Sequence, residues 1–218
     1  MCGAMTLRPA RFLTVEGIEG VGKSTQVARL SQALQSRDIA HVVTREPGGT
    51  PLAERIRELV LNTREETVPP SAELLLMFAA RAVHLANRIE PCLRAGEWVL
   101  CDRFTDATYA YQGAGRGLPQ GDIGILENMV QGPRRPDLTL LLDAPVDLAL
   151  QRVRNRRPGV ESDRFERERA EFFERVRAGY LERAAAAPDR ILVIDASASQ
   201  PEVSAAILAQ LEARSWIS

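Results

Sequence analysis

Gly17-Ile18-Glu19-Gly20-Val21-Gly22-Lys23-Ser24 is the stretch on which the reading of this chain turns. The apolar run Phe12–Glu16 precedes it and an amphipathic segment, Ser24–Ser36, follows, so strand, glycine-rich loop and helix stand in order. The spacing G-x-x-x-x-G-K-S suits a polyphosphate. Glycines let successive backbone N–H groups face one concavity, and the N-terminus of the following helix adds partial positive charge there. On this reading Lys23 is expected to reach the β- and γ-phosphates and Ser24 to ligate Mg²⁺. The expected ATP-binding run is Gly17, Ile18, Glu19, Gly20, Val21, Gly22, Lys23, Ser24 and Thr25. A glycine-rich turn without a ligand is the bland alternative, and the order of elements on either side argues against it.

The rest of the composition narrows the class. At 218 residues with 45% hydrophobic content, one P-loop domain spanning 1–218 is expected. Twenty-eight basic residues against 29 acidic ones leave a net charge of -1, so neither a nucleic-acid nor a membrane partner is expected. Cys2, Cys92 and Cys101 are odd in number and lack metal-type spacing, which fits a reduced, cytoplasmic setting. No apolar run approaches the roughly 18 residues of a membrane span, and Met1–Ala10 lacks the apolar stretch of a signal peptide. Lys23 is the only lysine; the other 27 of the 28 basic residues are arginines. A guanine-reading Asn-Lys-x-Asp motif therefore cannot exist in this chain, which sets aside the GTPase reading.

Working outward, short apolar runs alternate with longer amphipathic ones, the pattern of β-α units and a parallel sheet. Strands are expected at Phe12–Glu16, Ala40–Thr44, Trp98–Cys101, Leu138–Leu142 and Ile191–Ile194. Helices are expected at Ser24–Ser36, Leu52–Leu61, Ala72–Arg94, Val146–Arg156, Arg164–Ala187 and Glu202–Arg214. Turn chemistry falls at Pro47-Gly48-Gly49, Pro69-Pro70, Gly113–Pro119 and Arg157-Pro158-Gly159. The fold class is thus an α/β five-stranded parallel sheet flanked by helices. His41 and His84, at a strand start and in mid-helix, are read as structural.

A small kinase or an ATPase remains, and the chain has little room for the further domains of a motor or transporter. Val15-Glu16-Gly17, Arg45-Glu46-Pro47-Gly48-Gly49-Thr50, Asp102-Arg103-Phe104, Ala110-Tyr111-Gln112-Gly113, Gly115-Arg116-Gly117 and Arg135-Pro136-Asp137-Leu138 together resemble bacterial thymidylate kinase, from Phe12 to about Asp195. The Arg-Glu-Pro-Gly-Gly-Thr run separates that family from adenylate, guanylate and cytidylate kinases. The resemblance implies a P-loop nucleoside monophosphate kinase fold. It also implies transfer of the ATP γ-phosphoryl group to thymidine 5′-monophosphate (dTMP), a step towards dTTP, with Mg²⁺ and in a homodimer packed on the long helix Ala72–Arg94. Another nucleoside or nucleotide kinase and an ATP-binding regulatory module are the competing readings.

Site residues follow from the same resemblance. Arg57 and Arg103 would grip the acceptor monophosphate, Arg81 would bond the thymine, and Thr108 and Gln112 would contact the base. Glu46 and Pro47 would shape the acceptor wall, and Tyr111 would pack where a 2′-hydroxyl would otherwise sit. The family places a Phe four residues before the helix arginine. That position here is Met77 and Phe78 comes one later, so either is a candidate for thymine stacking. Glu19 matches the acidic loop residue near the acceptor ribose and metal. Asp102, just after an apolar strand, reads either as a Walker-B-type carboxylate for Mg²⁺ or as a helix N-cap. Arg152, Arg154, Arg156 and Arg157 mark an arginine-bearing lid over about residues 152–164, with Arg156 favoured for the transition state. Lys23, Arg103, Arg156 and Glu19 are the expected catalytic set.

Overall fold

The structure, a computed structural model, describes residues 9–62, 66–156 and 163–217, and of residues 156 and 163–168 the backbone alone. Strands β1 (Phe12–Glu16), β2 (His41–Arg45), β3 (Trp98–Asp102), β4 (Leu138–Asp143) and β5 (Ile191–Asp195) form a parallel sheet in the order β2-β3-β1-β4-β5. Each expected strand is present, its ends displaced by at most one residue. Every residue of β1 and the first five of β4 are buried. That is why they read as continuous apolar runs rather than alternating ones: helices cover both faces of a parallel sheet.

The helices are α1 (Lys23–Gln35), α2 (Pro51–Asn62), α3 (Pro70–His84), α4 (Glu90–Arg94), α5 (Thr105–Thr108), α6 (Gln120–Gln131), α7 (Val146–Arg156), α8 (Asp163–Ala186) and α9 (Gln200–Ala213). The expected long helix is realised as α3 and α4 joined through a π-helical turn at Leu85–Ile89. Two helices, α5 and α6, were not expected, and the turn read at Gly113–Pro119 begins only at Arg116. Tyr109–Gly115 is a π-helical continuation of α5. Its glycine serves a close approach: a Cβ at Gly115 would stand 2.8 Å from Phe172 and 2.9 Å from Val176 on α8. Gly179 answers from α8, where a Cβ would meet that of Ala114 at 2.6 Å.

Because β1 is central and its successors lie on opposite sides, the crevice opens outside the carboxyl ends of β1, β3 and β4. Helix α8 closes one flank of it. Arg177 reaches Asp143 at the end of β4 with two parallel hydrogen bonds of 2.7 and 2.8 Å. Lower down, the buried Asp106 carboxylate accepts from Arg183 on α8 and from Arg190, at 2.6 to 3.2 Å.

Burial pushes the Asp106 pKa up, but the hydrogen bonds and charge of Arg190 and Arg183 outweigh it and hold the carboxyl below its ordinary 3.8. Between the two values the unfolded chain binds more protons. The stabilisation is therefore present above pH 3.8 and is lost as pH falls through the lower folded value. Asp106→Asn, which strands two arginines, is expected to cost about 3 kcal/mol at neutral pH and to flatten the acid limb of the stability profile. Urea melts across pH check both.

Candidate active site

At the end of β1 the loop turns through Gly17, Gly20 and Gly22, all at positive φ (131°, 88° and 98°). Helix α1 starts at Lys23 with Gly22 as N-cap and no side-chain cap, so its first N–H groups are left to an incoming anion. Lys23 Nζ is buried inside the loop, donating to the carbonyls of Gly17 (3.1 Å) and Ile18 (2.8 Å). Burial, and next the charge of Arg103, lower its pKa to about 7. A phosphate laid beside it would restore the charged form. Ser24 and Thr25 are exposed at the helix start. Glu19, on the outer side of the loop, pairs with Arg169 of α8 at 3.0 Å.

Across the crevice, Asp102 ends β3 and Arg103 follows with φ 70°, a left-handed conformation uncommon and costly for a non-glycine residue. Its guanidinium donates to Gly17 O, Tyr180 Oη and Tyr111 Oη, each at 3.0 Å. Burial alone would lower its pKa; Tyr111, Tyr180, Glu16 and Asp102 more than reverse that, so the charge is held firmly. Asp102 is not the cap of α5, whose N-cap is Phe104; its Oδ1 is buried without a hydrogen-bond partner. The N-cap reading of Asp102 is thereby replaced by that of an unpaired carboxylate oxygen at the mouth of the loop.

The third wall comes from the Arg45-Glu46-Pro47-Gly48-Gly49 segment and α3. Arg81 is buried to 1% exposure, donating through Nε to Glu46 Oε2 (2.7 Å) and through Nη2 to Thr108 Oγ1 (3.0 Å). Glu46 Oε1 accepts from His84 Nδ1 (2.9 Å), and His84 Nε2 meets Thr44 Oγ1 at 2.7 Å. Gly49, at φ 84°, lies against this pair: a Cβ would come within 2.5 Å of both side chains. Arg81 Nη1 is left buried and unpartnered. Gln112 donates through Nε2 to Glu73 Oε1 (2.7 Å), which leaves its Oε1 buried and unpartnered as well. Since a carboxylate only accepts, Glu73 fixes which way the Gln112 amide faces.

Arg57 hydrogen-bonds the Pro47 carbonyl at 2.9 Å, just after the cis Glu46–Pro47 bond. Burial, then the neighbouring Arg45, lower its pKa. Among the described residues, neither Arg57 nor Arg103 is neutralised by a carboxylate within ion-pair distance.

Residues 15–207 match the family model described as thymidylate kinase. The thymidylate kinase of Chromohalobacter salexigens is 59% identical over 213 residues, covering 96% of this chain and 100% of its own. That of Teredinibacter turnerae is 57% identical over 203 residues, 93% of this chain and 98% of its own. The crystal structure of thymidylate kinase from Ehrlichia chaffeensis superposes with a TM-score of 0.75 at 31% identity, covering 93% of this chain and 98% of that one. The chain belongs to the thymidylate kinase family.

Within that thymidylate kinase frame, Phe78 and Arg152 take places that sequence spacing did not give. Phe78 is 2% exposed, packed with Leu74, Tyr109 and Ile123 beneath the Arg81 guanidinium (4.8 Å to its ring), where it supports Arg81. Met77, half-buried, is the more exposed of the two candidates for the base. Arg152 belongs to α7 and donates to the carbonyls of Ala196 (2.7 Å) and Ser197 (3.2 Å), tying down the segment after β5. Arg154 lies exposed on the same helix; residues 157–162 and the Arg156 side chain, where the rest of the arginine-bearing lid was read, lie outside the described residues. His84, Glu73, Glu16 and Tyr180 acquire positions in the site that no local pattern announced. Only Glu16 stood in a quoted motif, without a role.

Lys23 sits where a compact ammonium fits between two carbonyls and a planar fork does not. Lys23→Arg is expected to lower kcat by about a hundredfold while the melting temperature holds; near-normal turnover in a coupled ADP-release assay would overturn this.

Proposed function

We propose that this thymidylate kinase family member transfers the γ-phosphoryl group of ATP to dTMP, giving ADP and dTDP, and that the unpaired atoms of Arg81 and Gln112 read the base. The observation that carries this is their polarity. Arg81 Nη1 is a buried donor and Gln112 Oε1 a buried acceptor, each without a protein partner. Thymine offers a carbonyl oxygen next to a ring N–H, the complement of that pair; cytosine offers an amino group next to a bare ring nitrogen, its inverse. Leaving either protein atom unmatched in a closed site carries a penalty of about 1–3 kcal/mol. Thr108 holds Arg81, Met77 lines the base side, and Glu46 and Pro47 form the wall behind.

Arg103 and Arg57, charged and without a direct carboxylate, suit the acceptor monophosphate. Its oxygen is already ionised near neutral pH, so no strong general base is needed. Catalysis then consists of alignment and charge stabilisation. Lys23 and the loop N–H groups hold the donor phosphates, Arg103 holds the acceptor oxygen in line, and Arg156 supplies a further positive charge to the equatorial oxygens. Ser24 and Asp102 fit Mg²⁺: a hydroxyl and an unpaired carboxylate oxygen match an ion that takes few protein ligands and keeps much of its water. Bound with ATP, that ion would neutralise charge on the β- and γ-phosphates. Tyr111, edge-on to Phe172, Phe173 and Tyr180, has the rigidity to wall off a 2′-hydroxyl, and Glu19 lies at the ribose side of the loop.

A coupled assay across dTMP, dUMP, dCMP, dAMP and dGMP tests the reading. Turnover is expected with dTMP and, more weakly, with dUMP. In Gln112→Ala the KM for dTMP is expected to rise about tenfold with kcat changed less. Preference for dCMP or a purine would point to another nucleotide kinase, and no turnover to a binding module.

The working form is a homodimer in the cytoplasm. Helices α3 and α6 pack together and present Leu75 (57% exposed), Ile125 (67%) and Met129 (73%) outward, with Ile125 and Met129 one turn apart on one face. A second copy of the chain is the occupant this surface suits. Sedimentation is expected to give a dimer for the wild type and a monomer for the Ile125→Lys, Met129→Lys double variant; a monomeric wild type would sink the proposal. No helix among the described residues is long and apolar enough to cross a membrane, and Cys92 and Cys101 are unpaired and buried, in keeping with a reduced compartment.

A further inference from the structure

The geometry points to Tyr180 and Glu16 as positioning residues for Arg103, acting through a buried hydrogen-bond chain that fixes both its backbone and the tip of its side chain. The inference rests on Arg103 holding the acceptor phosphate, as proposed above.

A guanidinium has five N–H groups. Those of Nη1 are held by Gly17 O and Tyr180 Oη, and one of Nη2 by Tyr111 Oη. Nε and the second N–H of Nη2 remain for a phosphate. Which way they face depends on the three that are tied. One of those ties is local, to Tyr111 eight residues on. The other two come from the phosphate loop, 86 residues back, and from α8, 77 residues further along the chain.

Tyr180 is buried to 2% exposure and its hydroxyl has a single hydrogen. That hydrogen goes to Glu16 Oε2 at 2.7 Å, which leaves the phenol lone pairs to accept from Arg103 at 3.0 Å. With Glu16 ionised, the polarity of the chain is set from its far end: the carboxylate orients the phenol, and the phenol orients the guanidinium. Glu16 uses its other oxygen on the Phe104 N–H, at 2.6 Å. Phe104 directly follows Arg103, whose left-handed φ of 70° persists only if its surroundings impose it. The Arg103 N–H is also held, by Val15 O at 3.0 Å. One carboxylate at the end of β1 therefore governs the strained backbone next to Arg103 and, through Tyr180, the end of its side chain.

A purely space-filling role does not account for the hydroxyl. Phenylalanine would fill the same position on α8 beside Tyr111 (ring centroids 6.3 Å apart) without placing a polar group out of water. The hydroxyl is present for its two partners, and both lead to Arg103.

Tyr180→Phe removes that one link. The variant is expected to fold and to lose about tenfold in kcat/KM for dTMP, with the KM for ATP unchanged within about twofold. Tyr109→Phe is the control: Tyr109 is also buried and donates to a carboxylate, Glu127, at 2.8 Å, but on the α3–α6 side and with no bond to Arg103. It should lower the melting temperature comparably and leave both KM values and kcat as they were. Glu16→Gln, assayed at pH 9 where the wild-type carboxyl is ionised, gives an independent reading, since the amide can still accept from Phe104 while donating to, rather than accepting from, Tyr180. It should show the same selective loss against dTMP. Equal losses for ATP and dTMP, or no kinetic change in Tyr180→Phe beyond that of Tyr109→Phe, would overturn the inference. Failure of the wild type to phosphorylate dTMP would instead overturn the reading beneath it.

Discussion

Glu16 ends the central strand with a carboxylate wholly out of water, and the crevice is organised around it. Burial first, and the nearby Asp106 second, push its pKa to about 8, against the pull of Arg103, Tyr180 and the Phe104 N–H. Lys23 experiences the same medium with the opposite sign, its pKa brought down to about 7. Desolvation is the largest influence on Glu16, Lys23 and Arg103 alike, yet only the arginine keeps its charge under any ordinary condition. A site that weakens the charges of its carboxylate and its lysine in this way is closer to balance when a polyphosphate enters. The incoming anion favours the protonated Lys23 and adds the negative field that Arg103 lacks from any directly paired carboxylate.

The sheet was legible because its physics is local. Strands buried on both faces become apolar runs, and the loop, the helix start and the lone lysine stand within eight residues of one another. The positions of Asp102 and Arg103 could be read for the same reason, as the residues at a strand end. The stretch from Thr105 to Gln131 was not legible. Gly113 and Gly115 look like turn residues, but Gly115 is there because α8 passes too close for a side chain. Phe78 illustrates the same limit on a single helix: sequence spacing alone left it equivalent to Met77, whereas the fold buries Phe78 beneath Arg81 and leaves Met77 half-buried.

The partners that orient the site were the least readable of all. Tyr180 lies 77 residues from Arg103 and 164 from Glu16. Within its own helix it is one more member of the stripe Phe173, Val176, Tyr180 and Ala184 that any amphipathic helix shows on its buried face. The polar atom at the tip of that stripe has meaning only once the sheet has brought Glu16 beneath it. Glu73, His84 and Thr44 are likewise ordinary residues until a contact far along the chain fixes an amide or a carboxylate.

The scarcity of lysine acquires a physical sense from these contacts. Arg81 serves Glu46 with Nε and Thr108 with Nη2, Arg177 grips both oxygens of Asp143, Arg134 both oxygens of Glu90, and Arg190 bridges Asp106 and Thr139. Each task needs donors at fixed angles to one another, so that two acceptors on different elements are held in one geometry; an ammonium on a flexible stem does not impose that. Lys23 has the reverse task. Its partners are two consecutive carbonyls of one loop, and its charge must be free to turn from them to a phosphate without carrying a plane of atoms with it. Where the chain needs rigidity it uses the fork. Where it needs a charge that can change partners it uses its one lysine.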